Sequence, residues 1–206
     1  IASACEAAGR PVESVTLLAV SKTFDADAVA AAHAAGQRLF GENYVQEALA
    51  KIAALAELAP RPEWHLIGPV QTNKTRIVAE TFDWVHAIDR LQVAERLSAQ
   101  RPPTLAPLSV CVQVNVSGEA SKSGVAPAAL APLAHAVAAL PRIRLRGLMS
   151  IPAPAVGLDA QRAPHRMLRG CFDTLRAGGL ALDTLSAGMS DDLEAAILEG
   201  ATMVRI

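Results

Sequence analysis

The sequence predicts an α/β fold, namely one (β/α)8 TIM barrel that takes up residues 1–206 as a single domain. Eight short apolar segments alternate with segments of helical character, which is typical of parallel strands joined by right-handed crossovers. The chain has 206 residues and is 51% hydrophobic, so it can bury one sizeable core. An open doubly wound sheet is the alternative, but no glycine-rich turn follows the first strand to support a dinucleotide site.

Each predicted strand is a short apolar run bounded by glycine, proline or polar residues. The first is apolar on both faces from Leu17 to Val20, so burial of both faces is expected. The clearest, from Val110 to Val116, is rich in β-branched residues. The predicted strands are residues 17–21, 39–43, 64–68, 84–88, 110–116, 145–151, 184–187 and 202–206.

Helices are predicted between these strands from apolar residues at helical spacing and from capping residues. Val45 and Leu49 lie on one face of the segment 44–58. Asp191 and Glu194 have the spacing of a capping box. The predicted helices are residues 1–9, 25–35, 44–58, 75–82, 89–100, 127–140, 161–177 and 191–199. No helix follows the eighth strand, so the C-terminal helix of a complete barrel is expected to be missing.

Composition and charge exclude several classes of protein. The formal net charge is −1 and the basic residues are scattered, so no nucleic acid or other polyanion is expected as a partner. No apolar run approaches the roughly 20 residues of a membrane span, and no charged leader precedes an apolar stretch, so neither a membrane segment nor a signal peptide is expected. Cys5, Cys111 and Cys171 are odd in number and widely spaced, which favours a reducing cytoplasm over a disulfide framework or a zinc site.

Lys22 follows the first strand, and its position governs the functional prediction. On strand alternation Leu18, Val20 and Lys22 point to the same side. A charged lysine on the apolar face of a buried strand is costly unless it is paired, neutral or used covalently. Two interpretations stay open from these residues alone. The side chain reaches solvent just past the strand, or it is a Schiff-base lysine kept partly neutral by its surroundings.

Polar residues also gather at the ends of the other strands, where a barrel of this kind has its active site. They are Asn43, His65, His86 with Asp89, Asn115, Met149 with Ser150, the segment 186–190, and Arg205. Each alone is a weak signal, because a strand-end asparagine is usually a turn residue and a single strand histidine is usually a hydrogen-bonded core residue. His86 and Asp89 have no third ligand at matching spacing, so no metal site is predicted. Their shared position at one end of a barrel favours a site.

The turn Gly188-Met189-Ser190 joins a predicted strand to a predicted helix. Free backbone N–H groups and the helix dipole make such a turn suited to a phosphate. Asp191 and Asp192 add negative charge and would repel a phosphate unless they point away from it. A plain capped helix start remains the alternative for this stretch.

Seven colinear stretches together resemble the pyridoxal phosphate homeostasis protein family, also called the YggS or PROSC family. They are residues 19–22 (AVSK), 40–47 (FGENYVQE), 64–68 (WHLIG), 71–74 (QTNK), 147–149 (GLM), 188–197 (GMSDDLEAAI) and 203–206 (MVRI). The stretches are long and cover essentially the whole chain, which argues against a chance match.

The resemblance implies the fold of the alanine racemase N-terminal barrel, with pyridoxal 5'-phosphate (PLP) as the cofactor. It implies that Lys22 carries PLP as a Schiff base and that Arg205 faces the pyridine nitrogen. It also implies that Asn43, His65 and Met149 line the cofactor ring.

The same resemblance implies a phosphate site made by Ser186 and by Gly188, Met189 and Ser190. Lys122 matches a further family lysine to which we assign no role. The family continues past the last residues of this sequence with a segment that completes the phosphate cup. We therefore expect such a segment in the intact protein, and we expect PLP to be absent or poorly fixed in a structure of these 206 residues.

An arginine at the pyridine nitrogen limits the chemistry that PLP can perform. Because a guanidinium group only donates, the ring nitrogen stays unprotonated and PLP is a weaker electron sink. A racemase also needs a second base on the opposite face of the substrate. The chain has no second domain to supply that base, and nothing activates Tyr44, its only tyrosine. We therefore predict a PLP-binding homeostasis protein without amino-acid turnover, and we assign no catalytic residue.

Two other classes of function remain open. One is a PLP-dependent amino-acid racemase or decarboxylase, which a substrate-dependent spectral change with product formation would favour. The other is a lysine Schiff-base aldolase on the same fold, which would bind no PLP. For the favoured function the expected partners are PLP itself and PLP-dependent apoenzymes that receive it, and the expected state is a monomer.

Overall fold

The computed structural model of the protein describes residues 1–118 and 123–206. Its centre is a closed barrel of parallel strands in sequence order, in which the last strand pairs with the first. The strands are β1 (Thr16–Val20), β2 (Leu39–Glu42), β3 (Glu63–Leu66), β4 (Trp84–Ile88), β5 (Leu108–Gln113), β6 (Ile143–Met149), β7 (Thr184–Ser186) and β8 (Met203–Arg205). The predicted (β/α)8 barrel is therefore confirmed, and the sheet is closed rather than open.

Helices surround the barrel. They are α1 (Ala2–Ala7), α2 (Ala26–Ala34), α3 (Val45–Ala54), α4 (Thr75–Thr81), α5 (Leu91–Gln100), α6 (Pro127–Ala138), α7 (Leu158–Ala177) and α8 (Leu193–Leu198). Helix α1 precedes the first strand, and its Ala4 and Cys5 pack with Ile197 of α8 and Val204 of β8. The outer face of β8 is thus covered by a helix from the start of the sequence. None of the helices in the described ranges is both long and apolar enough to cross a bilayer.

The apolar core has two layers, as strand alternation requires. Phe40 and Trp64 belong to the large cluster between barrel and helices, and their ring centroids lie 5.7 Å apart. Leu18, Ile67 and Met203 form a separate cluster inside the barrel.

The structure corrects the prediction that β1 is buried on both faces. The inward-facing Leu18 is fully buried, but Leu17 on the outward face is 37% exposed. Inward burial therefore comes from the barrel itself, whereas the helix layer leaves part of the outer face of β1 open.

Two element boundaries differ from the prediction for identifiable reasons. Strand β5 ends at Gln113. Val114 still donates its N–H to the backbone oxygen of Met149 in β6 at 2.8 Å, but it also forms an isolated parallel bridge with Val125. Helix α8 begins at Leu193 rather than at residue 191. Asp192 is its N-cap, so the third helical residue is Ala195 and the predicted capping box of Asp191 with Glu194 does not form. The Asp192 carboxylate instead accepts the N–H of Met189 in the preceding turn.

Candidate functional site

A cavity of about 650 Å³ opens at the carboxyl ends of the strands, and we call it the carboxyl-end cavity. Its lining residues are Val20, Lys22, Thr23, Phe24, Asn43, Ile67, Gly68, Pro69, Gln113, Ser123, Ile151, Met189, Ser190, Arg205 and Ile206. The structure thus brings together Lys22, Asn43, Met189, Ser190 and Arg205 from the predicted site. The other predicted residues lie beneath or beside this cavity.

Lys22 stands at the mouth of the carboxyl-end cavity with an exposed side chain. The residues on either side of it are firmly held. The hydroxyl of Ser21 donates to Oε1 of Glu42 at 2.6 Å, and the N–H of Thr23 donates to Oε1 of Glu47 at 2.6 Å. Thr23 has a φ of 68°, in the left-handed region that non-glycine residues adopt at a cost. A strained and anchored turn therefore presents the Lys22 amine to the cavity.

A buried lysine, Lys51 of α3, organises that anchor. Its Nζ donates to the backbone oxygen of Ser21 at 2.5 Å, to Glu42 at 2.7 Å and to Glu47 at 2.8 Å. Burial disfavours the ammonium ion, but the hydrogen bonds that it donates to Glu42 and Glu47 outweigh this effect and raise the pKa of Lys51. The pKa of Glu47 is lowered in turn, first by Lys51 and then by the N–H of Thr23. The cluster is thus a paired network of full charges directly behind Lys22.

Arg205 closes the cavity on the side of β8. Its Nη1 donates to the backbone oxygen of Ser186 at 2.6 Å and to the Ser186 hydroxyl at 2.8 Å, and its Nη2 donates to the backbone oxygen of Ser150 at 2.8 Å. Burial lowers the pKa of Arg205 to about 10, against the opposing effects of Asp192 and Cys111, so the group stays charged at neutral pH. A guanidinium group has five N–H donors, and these bonds use three of them.

Three predicted site residues lie deeper in the barrel than the cavity lining. His65, Met149 and Ser186 have no exposed surface. Nδ1 of His65 lies 2.9 Å from Nε2 of His86, whose Nδ1 lies 2.8 Å from the Ser186 hydroxyl. Met149 packs with Trp84, Ala87 and Cys111. These residues form the floor beneath the site.

In the turn Gly188-Met189-Ser190, which the sequence predicts to hold a phosphate, one N–H already has an acceptor. Gly188 has a φ of 94°, and a Cβ there would come within 2.7 Å of the Ala196 side chain. Oδ1 of Asp192 accepts the N–H of Met189 at 2.6 Å, and Oδ2 lies 3.0 Å from Nε2 of His165. Burial alone would raise the pKa of Asp192, but the bonds to His165 and Met189 outweigh it and lower this pKa. The carboxylate is therefore charged and turned toward α7.

Asn43 lies in the cavity wall because of a close backbone approach. A Cβ on Gly68 would come within 2.1 Å of the backbone oxygen of Asn43, so only glycine fits there. This contact brings the end of β3 against the end of β2 and closes the wall between them.

Two further predictions concern metal ions and Lys122. Within residues 1–118 and 123–206, no three His, Cys, Asp or Glu side chains lie close enough together to hold a metal ion. His86 binds His65 and Ser186, whereas Asp89 pairs with Arg90 at 2.8 Å. Lys122 lies outside the described residues.

Sequence reasoning missed the polar networks that support the site. The sequence pattern places Lys51 in an amphipathic helix and Glu42 and Glu47 in a family motif, but neither pattern identifies the partners of these side chains. Glu63 and His65 share one face of β3 by strand alternation, and His86 lies on the neighbouring strand, so alternation could have predicted that these three side chains lie together. Alternation could not predict the barrel register that brings Ser186 to His86.

The fold and the arrangement of the site define a class of protein, the barrels of the alanine racemase N-terminal type. The sequence profile of the family described as "Alanine racemase, N-terminal domain" matches residues 2–206. Alanine racemase of Clostridium difficile 630 shares this fold, with a TM-score of 0.73 at 12% sequence identity over 99% of this chain and 53% of that one.

Within that class, the chain belongs to the pyridoxal phosphate homeostasis protein family, as the sequence motifs predict. It is 62% identical over 206 residues to the protein of that name from Pseudomonas aeruginosa, covering 100% of this chain and 87% of the relative. It is 56% identical over 207 residues to the one from Escherichia coli K12, covering 100% and 88%. PipY of Synechococcus elongatus PCC7942, solved with PLP bound, has a TM-score of 0.88 at 38% identity over 98% of this chain and 94% of that one.

Proposed function

We propose that this protein binds PLP as a Schiff base on Lys22 and serves in intracellular PLP homeostasis without turning over amino acids. The observation that carries the proposal is the carboxyl-end cavity, which is lined by both the Lys22 side chain and Arg205. The curated relatives bear the name of this function, and PipY has been solved with PLP. PLP supplies an aldehyde that condenses with an amine and a conjugated ring that accepts electrons.

The residues present fit such a cofactor. The cavity offers an accessible lysine amine, and Arg205 has two N–H donors beyond the three used on Ser186 and Ser150. The hydroxyl of Ser150 is buried and has no hydrogen-bond partner within the described part of the chain. Because Arg205 stays protonated, it suits an unprotonated ring nitrogen and not a pyridinium.

We propose direct and indirect roles for the predicted residues. Lys22 forms the covalent bond, Arg205 faces the ring nitrogen, and Asn43 lines the ring. The phosphate is held by the turn of Gly188, Met189 and Ser190, with the hydroxyl of Ser190 free to move toward it. His65, Met149 and Ser186 act from beneath by fixing the floor and Arg205, since all three are buried away from the cavity.

The absence of turnover is supported by the titratable groups at the site. Among the described residues that line the carboxyl-end cavity, none is a histidine, cysteine, tyrosine, aspartate or glutamate, so Lys22 has no second acid or base beside it other than the Arg205 guanidinium. Racemisation needs an acid and a base on opposite faces of the substrate. Tyr44 is 64% exposed at the start of α3 and does not line the cavity.

We further propose that residues 1–206 act as one domain and as a monomer that passes PLP to PLP-dependent apoenzymes in the cytoplasm. Helix α1 supports a single domain, because it completes the core outside β8. Cys5, Cys111 and Cys171 are free, which fits a reducing compartment.

The test is to add PLP and follow the absorption band of the Schiff base, then to reduce with borohydride and map the pyridoxyl group by peptide mass spectrometry. We expect the group on Lys22. Labelling of Lys74 or Lys122 alone would refute the assignment. Incubation of the loaded protein with common amino acids should give no multiple turnover, and steady product formation abolished by Lys22→Ala would favour the racemase or decarboxylase alternative.

A further inference from the structure

A continuous chain of hydrogen bonds crosses the barrel interior and ends at Arg205. It starts at Oε1 of Glu63, 2.9 Å from Nε2 of His65. Nδ1 of His65 lies 2.9 Å from Nε2 of His86, and Nδ1 of His86 lies 2.8 Å from the Ser186 hydroxyl. That hydroxyl accepts a bond from Nη1 of Arg205 at 2.8 Å.

The two ends of this chain lie at opposite ends of the barrel. Arg205 lines the carboxyl-end cavity. Glu63 lines a second cavity of about 620 Å³, the amino-end cavity, and its side chain is 43% exposed there. The links between them, His65, His86 and Ser186, have no exposed surface, so no solvent interrupts the chain.

The chemistry of the end groups fixes where each proton lies. An ionised carboxylate only accepts, so Nε2 of His65 must carry the hydrogen that faces Glu63. A neutral imidazole has one N–H, so Nδ1 of His65 accepts from Nε2 of His86. By the same rule Nδ1 of His86 accepts the Ser186 hydroxyl hydrogen. The Ser186 oxygen then turns its lone pairs toward Arg205, which only donates.

The surroundings keep the links in the neutral form that this order requires. Burial lowers the pKa of His65, against the raising effect of Glu63, and burial lowers that of His86 well below its usual value, with His65 and Arg205 acting in the same direction. The hydrogen bond from His65 lowers the pKa of Glu63, so its carboxylate stays ionised. Trp84 stacks on His65, with ring centroids 5.2 Å apart and an interplanar angle of 9°. The Arg146 guanidinium lies 4.7 Å from the Trp84 ring centroid, so packing also fixes the His65 ring.

We propose that Glu63 is a positioning residue for the cofactor site: through the tautomers of His65 and His86 it orients the Ser186 hydroxyl to accept from Arg205. The opposite proton order would place a lone pair of His65 against the Glu63 carboxylate. It would also direct a His86 N–H at the Ser186 oxygen, so the Ser186 hydroxyl hydrogen would lose its acceptor on His86. A group on the far side of the barrel therefore decides how firmly the guanidinium is held. The inference rests on the proposed function only where PLP is concerned.

The first test needs no cofactor. Nitrogen-15 NMR of the PLP-free protein reports which ring nitrogen of each histidine carries hydrogen. We expect one tautomer for both His65 and His86, protonated on Nε2. Glu63→Ala should release that preference, whereas Glu63→Gln should keep it because the amide oxygen still accepts. Glu80→Gln, which neutralises an exposed carboxylate of α4 outside the chain, is the control and should also keep it. Nδ1 protonation in the unmodified protein, or unchanged tautomers in Glu63→Ala, would overturn the inference.

The second test measures PLP affinity of the same four proteins. The variant Glu63→Ala removes the carboxylate that accepts the hydrogen bond of His65, and we expect its PLP affinity to be about tenfold weaker. The PLP affinities of Glu63→Gln and Glu80→Gln should stay within about twofold of the unmodified protein, a pattern that loss of charge or general loosening would not give. Equal affinities in all four proteins would contradict the inference while leaving the proposed function intact. Failure of the unmodified protein to bind PLP would instead refute the proposed function, and the NMR result would then decide the tautomer order alone.

Discussion

The Nζ atom of Lys51 donates a hydrogen bond to the backbone oxygen of Ser21 at 2.5 Å, one residue before the lysine proposed to bind the cofactor. The same amine pairs with Glu42 and Glu47, and these two carboxylates bind the Ser21 hydroxyl and the Thr23 N–H. One buried ammonium group therefore holds both flanks of Lys22.

Replacement of Lys51 by methionine should destabilise the protein strongly. The variant Lys51→Met keeps much of the side-chain volume but leaves Glu42, whose side chain is fully buried, as an uncompensated charge. Removing one partner of a buried pair costs about 3–5 kcal/mol, and urea unfolding at pH 7.5 measures that loss.

Two companion variants separate the buried charge from lost packing. The double variant Lys51→Met with Glu42→Gln should have a free energy of unfolding at least about 1 kcal/mol higher than that of Lys51→Met alone, because the Glu42 charge is no longer buried without a partner. Arg76→Met, on an exposed pair of α4, should change stability by less than about 0.5 kcal/mol. A double variant less stable than Lys51→Met alone would show that packing and not charge carries the effect.

The variant Lys22→Ala should lose the covalent bond to PLP without losing stability. Because the side chain is exposed, the free energy of unfolding should change by less than about 0.5 kcal/mol. Absorption spectra with added PLP should lack the Schiff-base band, and Lys74→Ala should keep it. A band that persists in Lys22→Ala at unmodified intensity is incompatible with the assignment.

The wall between Asn43 and Gly68 should not tolerate a side chain. In Gly68→Ala the new Cβ would stand 2.1 Å from the Asn43 backbone oxygen, and backbone cannot move away as a flexible side chain can. We expect lower stability and PLP affinity reduced at least about tenfold, a loss near 1.4 kcal/mol in binding. Gly170→Ala on α7 is the matched control, because its Cβ meets nothing within 4 Å. For Gly170→Ala we expect the free energy of unfolding to rise by about 0.5–1 kcal/mol. Similar changes in stability and PLP affinity for both variants would contradict the steric argument.

Most of the fold could be read from the sequence because it depends on local patterns. The apolar run before Lys22, the β-branched run of β5 and the motif around Met203 each specify a strand by its own composition. The cavity lining was predictable for the same reason, since Lys22, Asn43 and Arg205 follow or end their strands. Residues at the carboxyl ends of parallel strands meet at one face of a barrel.

The support of the site could not be predicted because it depends on long-range register. Ser186 and His86 are far apart in sequence, and their bond exists only because of the shear of the closed barrel. Asp192 is the N-cap residue of α8, yet its carboxylate bonds to Met189 and His165 and not to the first N–H groups of the helix. Which of several partners a polar group chooses is decided by packing that periodicity does not encode.

Stability should fall as the pH drops below about 6.5, and the interior histidines explain why. Burial holds the pKa values of His65 and His86 below the ordinary 6.5, which they regain on unfolding. Below pH 6.5 the unfolded chain therefore binds more protons than the native state, and the free energy of unfolding rises with pH in this range. The slope is at most about 1.4 kcal/mol per pH unit for each histidine. The carboxylates with lowered pKa, among them Glu63 and Asp192, add to the loss only nearer pH 4.5 and below.

Urea unfolding at half-unit steps from pH 7.5 to 5 measures this slope, and two variants assign it. His86→Gln should be less stable at pH 7.5, because its amide cannot reproduce both bonds of the ring, yet it should have a shallower slope. His135→Gln, at an exposed position of α6, should leave the slope unchanged. The interior of the barrel excludes water, and burial there lowers the pKa values of His65 and His86. A slope equally steep in His86→Gln would mean that the acid sensitivity arises outside the chain from Glu63 to Arg205.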